Sequence, residues 1–273
     1  MFDRYFIDDA GTIIDRTIPW SNPFTATGAW DCKTYLYVSS FFPFNHKFFE
    51  IETANDQAGT LTIDIWYNNA WVSVADIIDY TKGTNTLEVS GNINFTVDKD
   101  EGWDQEDDSS DITELADTKV YSVYWMRFGY DASSDSALVI NYIGNRFCDD
   151  NALFSQYPLF NNSSIMTRFK AGKADWTTQE VSASDAIITD LKSRNMILSK
   201  DQILDSKRYE IPCVHKTAEI IFAGLGISYA EDRADARKYY TESMNSGDWG
   251  IDQNLNGNYD RSEKTPTMMR LGR

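Results

Sequence analysis

The spacing of apolar residues changes once along this 273-residue chain, and that change constrains the fold more than any single motif. From about residue 33 to residue 147, apolar and polar residues alternate with the two-residue period of a strand. After residue 178, apolar residues recur every three to four positions, which is the period of a helix with one buried face. The chain is therefore predicted to be an α+β protein, β-rich first and helical second.

Residues 60–67 show the strand pattern most clearly, with an apolar face formed by Leu61, Ile63, Ile65 and Tyr67. Asn68-Asn69 follows, and asparagine tolerates the positive φ of a tight turn, so residues 71–74 are predicted to return as the second strand of a hairpin. Further strand-like runs cover residues 35–38, 48–52, 87–90, 93–97, 119–128 and 137–143. Short strands with frequent turn signals predict an antiparallel β-sandwich, which we place at residues 1–165.

The pattern is interrupted between residues 147 and 178, where we expect connecting loops. The interruptions are Pro158, Asn161-Asn162-Ser163-Ser164 and Ala171-Gly172-Lys173. A small helical domain is predicted at residues 175–248. An extended tail is predicted at residues 249–273.

Start and stop signals divide the helical domain into four helices. Ser182 or Ser184 is expected to cap the first helix, which ends near Asn195, and Ser199 is expected to begin a short second helix. Pro212 fits the first turn of the third helix, which glycines at 224 and 226 stop. Residues 230–244 then form a fourth helix, so the last two helices are predicted to make a hairpin.

The net charge of −17 is strong enough to disfavour nucleic-acid binding as a primary role, because phosphates are repelled. Residues 98–117 carry ten acids against one lysine and are predicted to form a long surface loop. Residues 261–273 are basic, with a net charge of +3. The two segments could attract each other between copies; for the loop alone, a solvated segment is the simpler interpretation. The acidic start of the chain and the lack of a long apolar run predict no signal peptide and no membrane span.

Few residues suit catalysis or a metal–thiolate site. Cys32, Cys148 and Cys213 lack metal-ligand spacing, and their odd number argues against a disulfide framework. His46 is expected at the start of a strand, whereas His215 lies two residues from Cys213 on a predicted helix, so that pair faces different directions. The chain is therefore predicted not to be an enzyme, although its many carboxylates leave an acidic hydrolase open.

Residues 252–263 match the calcium-loop pattern D-x-[DN]-x-[DN]-G-x5-E in full. Calcium prefers six to eight oxygen ligands, and Gly257 permits the sharp turn between them. The alternative is a metal-free turn held by its own Asx hydrogen bonds. Calorimetry with millimolar calcium distinguishes the two. The predicted ligands are Asp252, Asn254, Asn256, Asn258, Asp260 and Glu263.

The order of these features resembles the head–tail connector (adaptor, or head-completion) proteins of tailed bacteriophages. The resemblance covers residues 175–273: a capped helix, a short second element, a helical hairpin closed by Tyr239-Tyr240-x-x-x-Met244-Asn245, and an Asp/Asn/Gly turn followed by basic residues. It implies that the tail orders on binding and docks onto the portal protein. The implied docking residues are Arg261, Lys264, Met268, Met269, Arg270, Leu271 and Arg273.

The resemblance also implies an assembly, a location and partners. Such a protein forms a homododecameric ring in the neck of the virion, between the portal and a tail or neck protein, after assembly in the host cytoplasm. DNA passes through the ring without specific binding, which suits an acidic protein. No cofactor other than Ca²⁺ is expected.

The β-rich half looks like sandwich domains that decorate phage neck and tail proteins, and also like some carbohydrate-binding modules. The alternative is therefore another phage neck or baseplate protein whose sandwich binds a partner or a carbohydrate. A flat, exposed platform formed by Trp66 or Trp103 would favour sugar binding, and burial of both would disfavour it.

Overall fold

The computed structural model describes residues 4–9, 11–15, 24–25, 35–97, 103–106, 112–130, 138–246, 249–253 and 255. Its described residues form two compact units: those up to Gly144 belong to the first unit, and Asn145–Gln253 belongs to the second. The first unit contains antiparallel sheets and the second contains helices, so the predicted α+β class is confirmed. The helical unit starts well before residue 175, where the sequence pattern places it.

Two antiparallel sheets form the described part of the first unit. Their strands are β1 (Arg4–Asp9), β2 (Thr12–Asp15), β3 (Phe24–Thr25), β4 (Tyr35–Ser40), β5 (His46–Thr53), β6 (Leu61–Tyr67), β7 (Ala70–Ser73), β8 (Ala75–Asp79), β9 (Gly91–Thr96), β10 (Gln105–Glu106), β11 (Val123–Tyr130) and β12 (Val139–Gly144). One sheet has the order β2-β1-β4-β11-β6-β7, with β10 also paired to β11, and the other has the order β3-β12-β5-β9-β8.

The sheets share one apolar core, as the predicted sandwich requires. Alternate side chains of β4, β6 and β11 meet those of β5, β9 and β12. Phe49 and Phe128 form an edge-to-face pair across the core, with ring centroids 5.2 Å apart. The Tyr5 hydroxyl also donates to the Ile143 carbonyl at 3.2 Å, which links the two sheets.

The predicted hairpin is confirmed at β6 and β7. Asn68 and Asn69 have φ of 51° and 57°, the left-handed conformation that a two-residue hairpin turn needs at both positions. Trp66 pairs with Trp71 across the hairpin, and their rings are 5.3 Å apart in an edge-to-face arrangement. The turn therefore sets a register that the tryptophan pair reinforces.

A second apolar layer covers the outer face of the larger sheet, and this corrects the prediction of a plain surface loop at 98–117. Ile112 and Leu115 are buried against Trp66 and Trp125. Glu106 is also buried, and its carboxylate accepts a hydrogen bond from Trp125 Nε1 at 2.5 Å. The described part of this acidic run therefore includes buried core residues. The face of β6 that carries Asp64 and Trp66 is largely buried as well.

Residues 87–90 do not form the strand that their β-branched and apolar residues suggest. Thr81 holds them in a compact loop, because its hydroxyl accepts from the Leu87 amide at 3.0 Å and its carbonyl accepts from the amides of Glu88 and Val89. Leu87 adopts a φ of 58° there. Strand β9 pairs with β5 on one side and with β8 on the other, and the sequence pattern missed β8.

Five α-helices and four short 3-10 helices make up the described part of the second unit. The α-helices are α1 (Asp150–Gln156), α2 (Ser163–Phe169), α3 (Thr177–Ser193), α4 (Glu210–Leu225) and α5 (Ala230–Ser246). The 3-10 helices are Pro158–Asn161, Lys200–Gln202, Ser206–Tyr209 and Ile227–Tyr229.

The prediction of connecting loops between 147 and 178 was wrong, because α1 and α2 lie there. Asp149 caps α1, with its side chain accepting from the Ala152 amide at 2.8 Å, and Asn162 caps α2 through the Ser164 amide at 2.8 Å. The Asn- and Ser-rich stretch is therefore a helix start, a role that uses the same residue types as a loop.

Some of the predicted starts and ends of the later helices are confirmed, and others are corrected. Ser182 and Ser184 do not cap α3; they lie inside it and donate to the carbonyls four residues earlier. Ser199 does cap a short 3-10 helix. Gly226, with φ of 94°, ends α4 as predicted, whereas Gly224 lies inside the helix.

The helical hairpin is confirmed, since α4 and α5 are joined only by Gly226 and one 3-10 turn. The unit packs around one core. Its large, fully buried members are Trp176, Phe160 and Tyr209. Tyr240 of α5 also donates to the Asp190 carboxylate of α3 at 2.5 Å, so these two helices are joined directly.

Candidate functional site

The chain is fixed to the helical unit immediately after α5, at the root of the predicted tail. Trp249–Gln253 runs beside the segment that follows the Ser199 cap, and Ile203 and Ile251 form an antiparallel bridge. The Leu204 amide donates to the Gly250 carbonyl at 3.2 Å, and the Asp252 amide donates to the Gln202 carbonyl at 2.8 Å. These backbone bonds hold residues 250–252 against residues 202–204.

Side chains secure the same root. Gln202 Oε1 accepts from the amides of Leu198 and Ser199 at 2.6 and 3.1 Å, and its Nε2 donates to the Asp252 carbonyl at 2.9 Å. One buried amide side chain therefore binds both the cap of the 3-10 helix and the first residue of the calcium-type loop. Such a bonded, buried group is costly to remove.

Aromatic packing adds a second anchor to the tail root. The Tyr209 hydroxyl donates to the Trp249 carbonyl at 2.6 Å, and the two rings lie 5.1 Å apart. Both side chains are buried. Gly250 follows with a φ of 52°, and a Cβ at this position would lie 2.8 Å from Asp205 Cβ, so the close approach requires glycine.

Of the predicted calcium ligands, only Asp252 belongs to the described residues, and it is 1% exposed. The remaining ligands lie outside the described residues: Asn254, Asn256, Asn258, Asp260 and Glu263. The predicted docking residues also lie outside them: Arg261, Lys264, Met268, Met269, Arg270, Leu271 and Arg273. Within the described part of the chain, no group of three or more His, Cys, Asp or Glu side chains is arranged to hold a metal ion.

A group of charged side chains lies inside the core of the helical unit. Arg146 pairs with Glu180 at 2.5 Å, and both side chains are almost completely buried. Burial raises the pKa of Glu180 to about 9, although the Arg146 guanidinium acts in the opposite direction; the neighbouring Asp150 carboxyl also raises it. The Glu180 side chain is fully enclosed by the packed helices, whereas Asp150 is only partly buried.

Two thiols belong to the same buried region. Cys148 and Cys213 are free, and the Cys148 sulfur lies 3.6 Å from the Thr217 hydroxyl. Burial raises the pKa of the Cys148 thiol, which keeps it protonated and unreactive. Cys32 lies outside the described residues. The sequence could not place Cys148 beside Cys213, because they are separated by most of the helical unit.

The histidines lie where the sequence predicts them. His46 begins β5 and is buried. His215 projects from α4 away from the buried Cys213, and its Nδ1 shares a hydrogen bond with the Tyr157 hydroxyl at 2.8 Å. Burial lowers the pKa of His215 and raises that of Tyr157 to about 12, so both are neutral near pH 7.

The β-sandwich offers no flat tryptophan platform at the two positions considered for sugar binding. Trp66 is 6% exposed and Trp103 is 8% exposed. On the outer face of the larger sheet, the Arg127 guanidinium lies 3.9 Å from the Tyr35 ring centroid and 4.6 Å from that of Trp71. Arg127 therefore covers the rings of Tyr35 and Trp71 on this face of the sheet.

No protein-family model, curated protein or solved structure matches this chain. Among the described residues, no helix is both long enough and apolar enough to cross a membrane.

Proposed function

We propose that this chain is a structural protein of the virion of a tailed bacteriophage, a head–tail connector that forms a ring between the portal and the tail. The proposal rests on the fixed tail root: a helical hairpin whose last helix leads into Trp249–Gln253, which is bonded along both backbone and side chains. A docking segment that starts from a fixed point searches a smaller volume for its partner, which favours binding.

The tail that follows this root has the composition of a docking segment. Residues 256–273 combine spaced basic side chains with Met268, Met269 and Leu271. Methionine and leucine adapt to an apolar groove, and the basic groups favour an acidic or polar rim. We propose the portal protein as the surface to which this segment binds, with a tail or neck protein on the opposite side of the ring.

The charge of the chain fits a channel for DNA. A net charge of −17 disfavours attachment of the phosphate backbone, so DNA can move through the ring without specific binding. The enclosed Arg146–Glu180 group and the buried thiols also favour a structural role, because these reactive side chains are packed in the core.

Deletion of the tail tests the proposal. A variant that ends at Gln253 keeps the bonded root, so we expect it to fold and to lose capture of the portal protein from the same phage. Serine at positions 268, 269 and 271 should weaken capture in the full chain, whereas alanine at Thr265 and Thr267 should not. Normal capture by the truncated chain would refute tail docking. Electron microscopy of the chain mixed with portal rings should show added density on one face.

A second candidate function has one observation in its favour. Ile78, Tyr80 and Val89 are about half exposed beside the edge strand β8. This apolar edge favours the alternative that the sandwich of a neck or baseplate protein binds another protein. Substitution of Tyr80 and Ile78 by serine would then abolish capture of a tail or baseplate component and leave portal binding intact.

A further inference from the structure

Three rings from different elements form a row on the helical unit. Tyr157 follows α1, His215 lies on α4 and Tyr239 lies on α5. The ring centroids of Tyr157 and His215 are 5.8 Å apart, and those of His215 and Tyr239 are 5.5 Å apart. Tyr157 and His215 are partly buried, whereas Tyr239 is 47% exposed. We name this surface the aromatic row.

The middle ring of the aromatic row is held in place. The Tyr157 hydroxyl and His215 Nδ1 share a hydrogen bond of 2.8 Å, and the two rings meet edge to face. Tyr157 in turn packs against Phe160 and Phe222 of the core. Tyr239 therefore lies against a ring that is already ordered, so a ligand that binds here has little left to immobilise.

Carboxylates of α5 border the aromatic row. The helical repeat places Asp232, Asp235 and Glu242 within about 60° of Tyr239 around the helix axis. All three are exposed, and none of them forms an ion pair with a residue that the structure describes. Burial, Tyr239 and Asp235 together raise the pKa of Tyr157 to about 12, so the charge of Asp235 acts on the far end of the row.

The nearby cations of the chain do not cover this surface. Lys216, next to His215 on α4, pairs with Glu219 at 2.8 Å. Within the described ranges, no lysine or arginine lies over the rings of the aromatic row. The basic residues of α5 are at least about 100° from Tyr239 around the helix axis; they are Arg233, Arg237 and Lys238.

We propose that the aromatic row and its carboxylates are a docking surface for an arginine-bearing segment of a partner protein. A guanidinium stacks on a tyrosine ring and donates to neighbouring carboxylates at the same time, a combination that the compact ammonium of lysine matches less well. Burial lowers the pKa of His215, so its imidazole is neutral near pH 7 and does not repel the incoming cation.

The length of this surface favours a peptide segment over a small cation. Helix α5 rises about 15 Å from Asp232 to Glu242. Ile211, which is 45% exposed one turn before His215 on α4, adds an apolar contact. A free guanidinium ion contacts one ring and one or two carboxylates, whereas an extended segment contacts the whole length. The basic residues of this chain's own tail are assigned to the portal, and in that respect the inference rests on the proposed function.

Proton NMR of the full chain tests the docking surface, because the chain contains only two histidines. The probe is the peptide ARALRA, acetylated and amidated, and its neutral counterpart carries citrulline at both arginine positions. We expect the arginine peptide to shift the ring signals of His215 until they saturate. The citrulline peptide should leave them in place, and the signals of His46, in the other unit, should not move with either peptide.

Two substitutions remove the proposed contacts at exposed positions. Tyr239→Leu and Asp235→Asn should each weaken binding of the arginine peptide by about threefold or more. The matched controls are Tyr121→Leu and Glu52→Gln, which change exposed residues of the first unit and should bind the peptide as the wild type does. Circular dichroism establishes that each variant is folded.

Unmoved His215 signals, equal binding of the citrulline peptide, or equal weakening by the controls would each overturn the proposal. Ethylguanidinium that binds as tightly as the peptide would overturn the assignment to a protein segment. A change in the His215 signals when the chain ends at Gln253 would show that the chain's own tail occupies the surface, and it would overturn the assignment to a partner. Portal capture is measured separately, so failure of tail docking leaves the peptide titration unaffected.

Discussion

Gln202 and Asp252 are joined in both directions although they lie 50 residues apart in sequence. The Asp252 amide donates to the Gln202 carbonyl at 2.8 Å, and Gln202 Nε2 donates to the Asp252 carbonyl at 2.9 Å. The root of the tail is therefore held by a residue from a short 3-10 helix rather than by a neighbour in sequence.

Gln202→Ala should release the tail root. The substitution removes three side-chain hydrogen bonds at a buried site, to Leu198, Ser199 and Asp252, so we expect the free energy of unfolding to fall by about 2–3 kcal/mol. Urea unfolding measures the change, and hydrogen exchange should accelerate at residues 249–252. Gln156→Ala, at an exposed position, should stay within about 0.5 kcal/mol of the wild type. Equal exchange at 249–252 in both variants would contradict the prediction.

Gly250→Ala should be destabilising for two reasons, which a matched glycine separates. Alanine at this position would have to adopt a φ of 52°, and its Cβ would lie 2.8 Å from Asp205 Cβ. We therefore expect the free energy of unfolding to fall by about 2–4 kcal/mol. Gly172 has a φ of 75° with open space around it, and Gly172→Ala should cost only the backbone term, about 1 kcal/mol. Thermal or urea unfolding compares them. Equal losses would show that Asp205 moves aside without cost.

Local signals predicted the elements that depend on neighbouring residues. The asparagine pair at 68–69 and the alternation of 60–67 identified the first hairpin, and Gly226 identified the end of α4. In both cases the physical cause is the backbone preference of one or two residues. These backbone preferences depend little on the rest of the protein, so the sequence alone is sufficient to predict the hairpin turn and the helix end.

Distant packing determined what the sequence missed. Asp64 and Trp66 are buried because other segments cover the outer face of the larger sheet, and no local pattern contains that information. The Asn162 cap was read as a loop signal, since caps and loops use the same side chains. The tail root was predicted only as a boundary at 249, because the partner of Asp252 is Gln202, in a separate segment.

Glu180 should make stability depend on pH in a known direction. Its pKa is raised from 4.5 to about 9, so the folded state holds a proton that the unfolded state releases above pH 4.5. The contribution of Glu180 to the free energy of unfolding is complete below pH 4.5. It falls as pH rises towards 9, by at most about 1.4 kcal/mol per pH unit.

Glu180→Gln keeps a neutral side chain and should flatten this decline. Urea unfolding across pH 4.5 to 9 should therefore give a shallower slope for the variant than for the wild type. The same change at the exposed Glu52 serves as the control and should leave the slope as it is in the wild type. Parallel curves for Glu180→Gln and the wild type would indicate that the buried carboxyl is ionised in the folded state, as its pairing with Arg146 on its own would favour.

Arg127 and Asp64 should show strong coupling, because each compensates the burial of the other. Arg127 Nε donates to Asp64 at 2.8 Å, the Ser73 hydroxyl donates to the same carboxylate at 2.6 Å, and Tyr35 and Trp71 flank the guanidinium. Arg127→Met leaves the carboxylate without its cation, so we expect a loss of about 3 kcal/mol.

Asp64→Leu combined with Arg127→Met removes both charges, and the double variant should recover most of the stability lost in Arg127→Met. Urea unfolding of the four proteins in a double-mutant cycle gives the coupling free energy directly. Arg127→Lys separates charge from stacking: it keeps the cation but loses the planar group between Tyr35 and Trp71, so we expect an intermediate loss. If the two single losses simply add in the double variant, the stability at this face comes from the aromatic stack rather than from the ion pair.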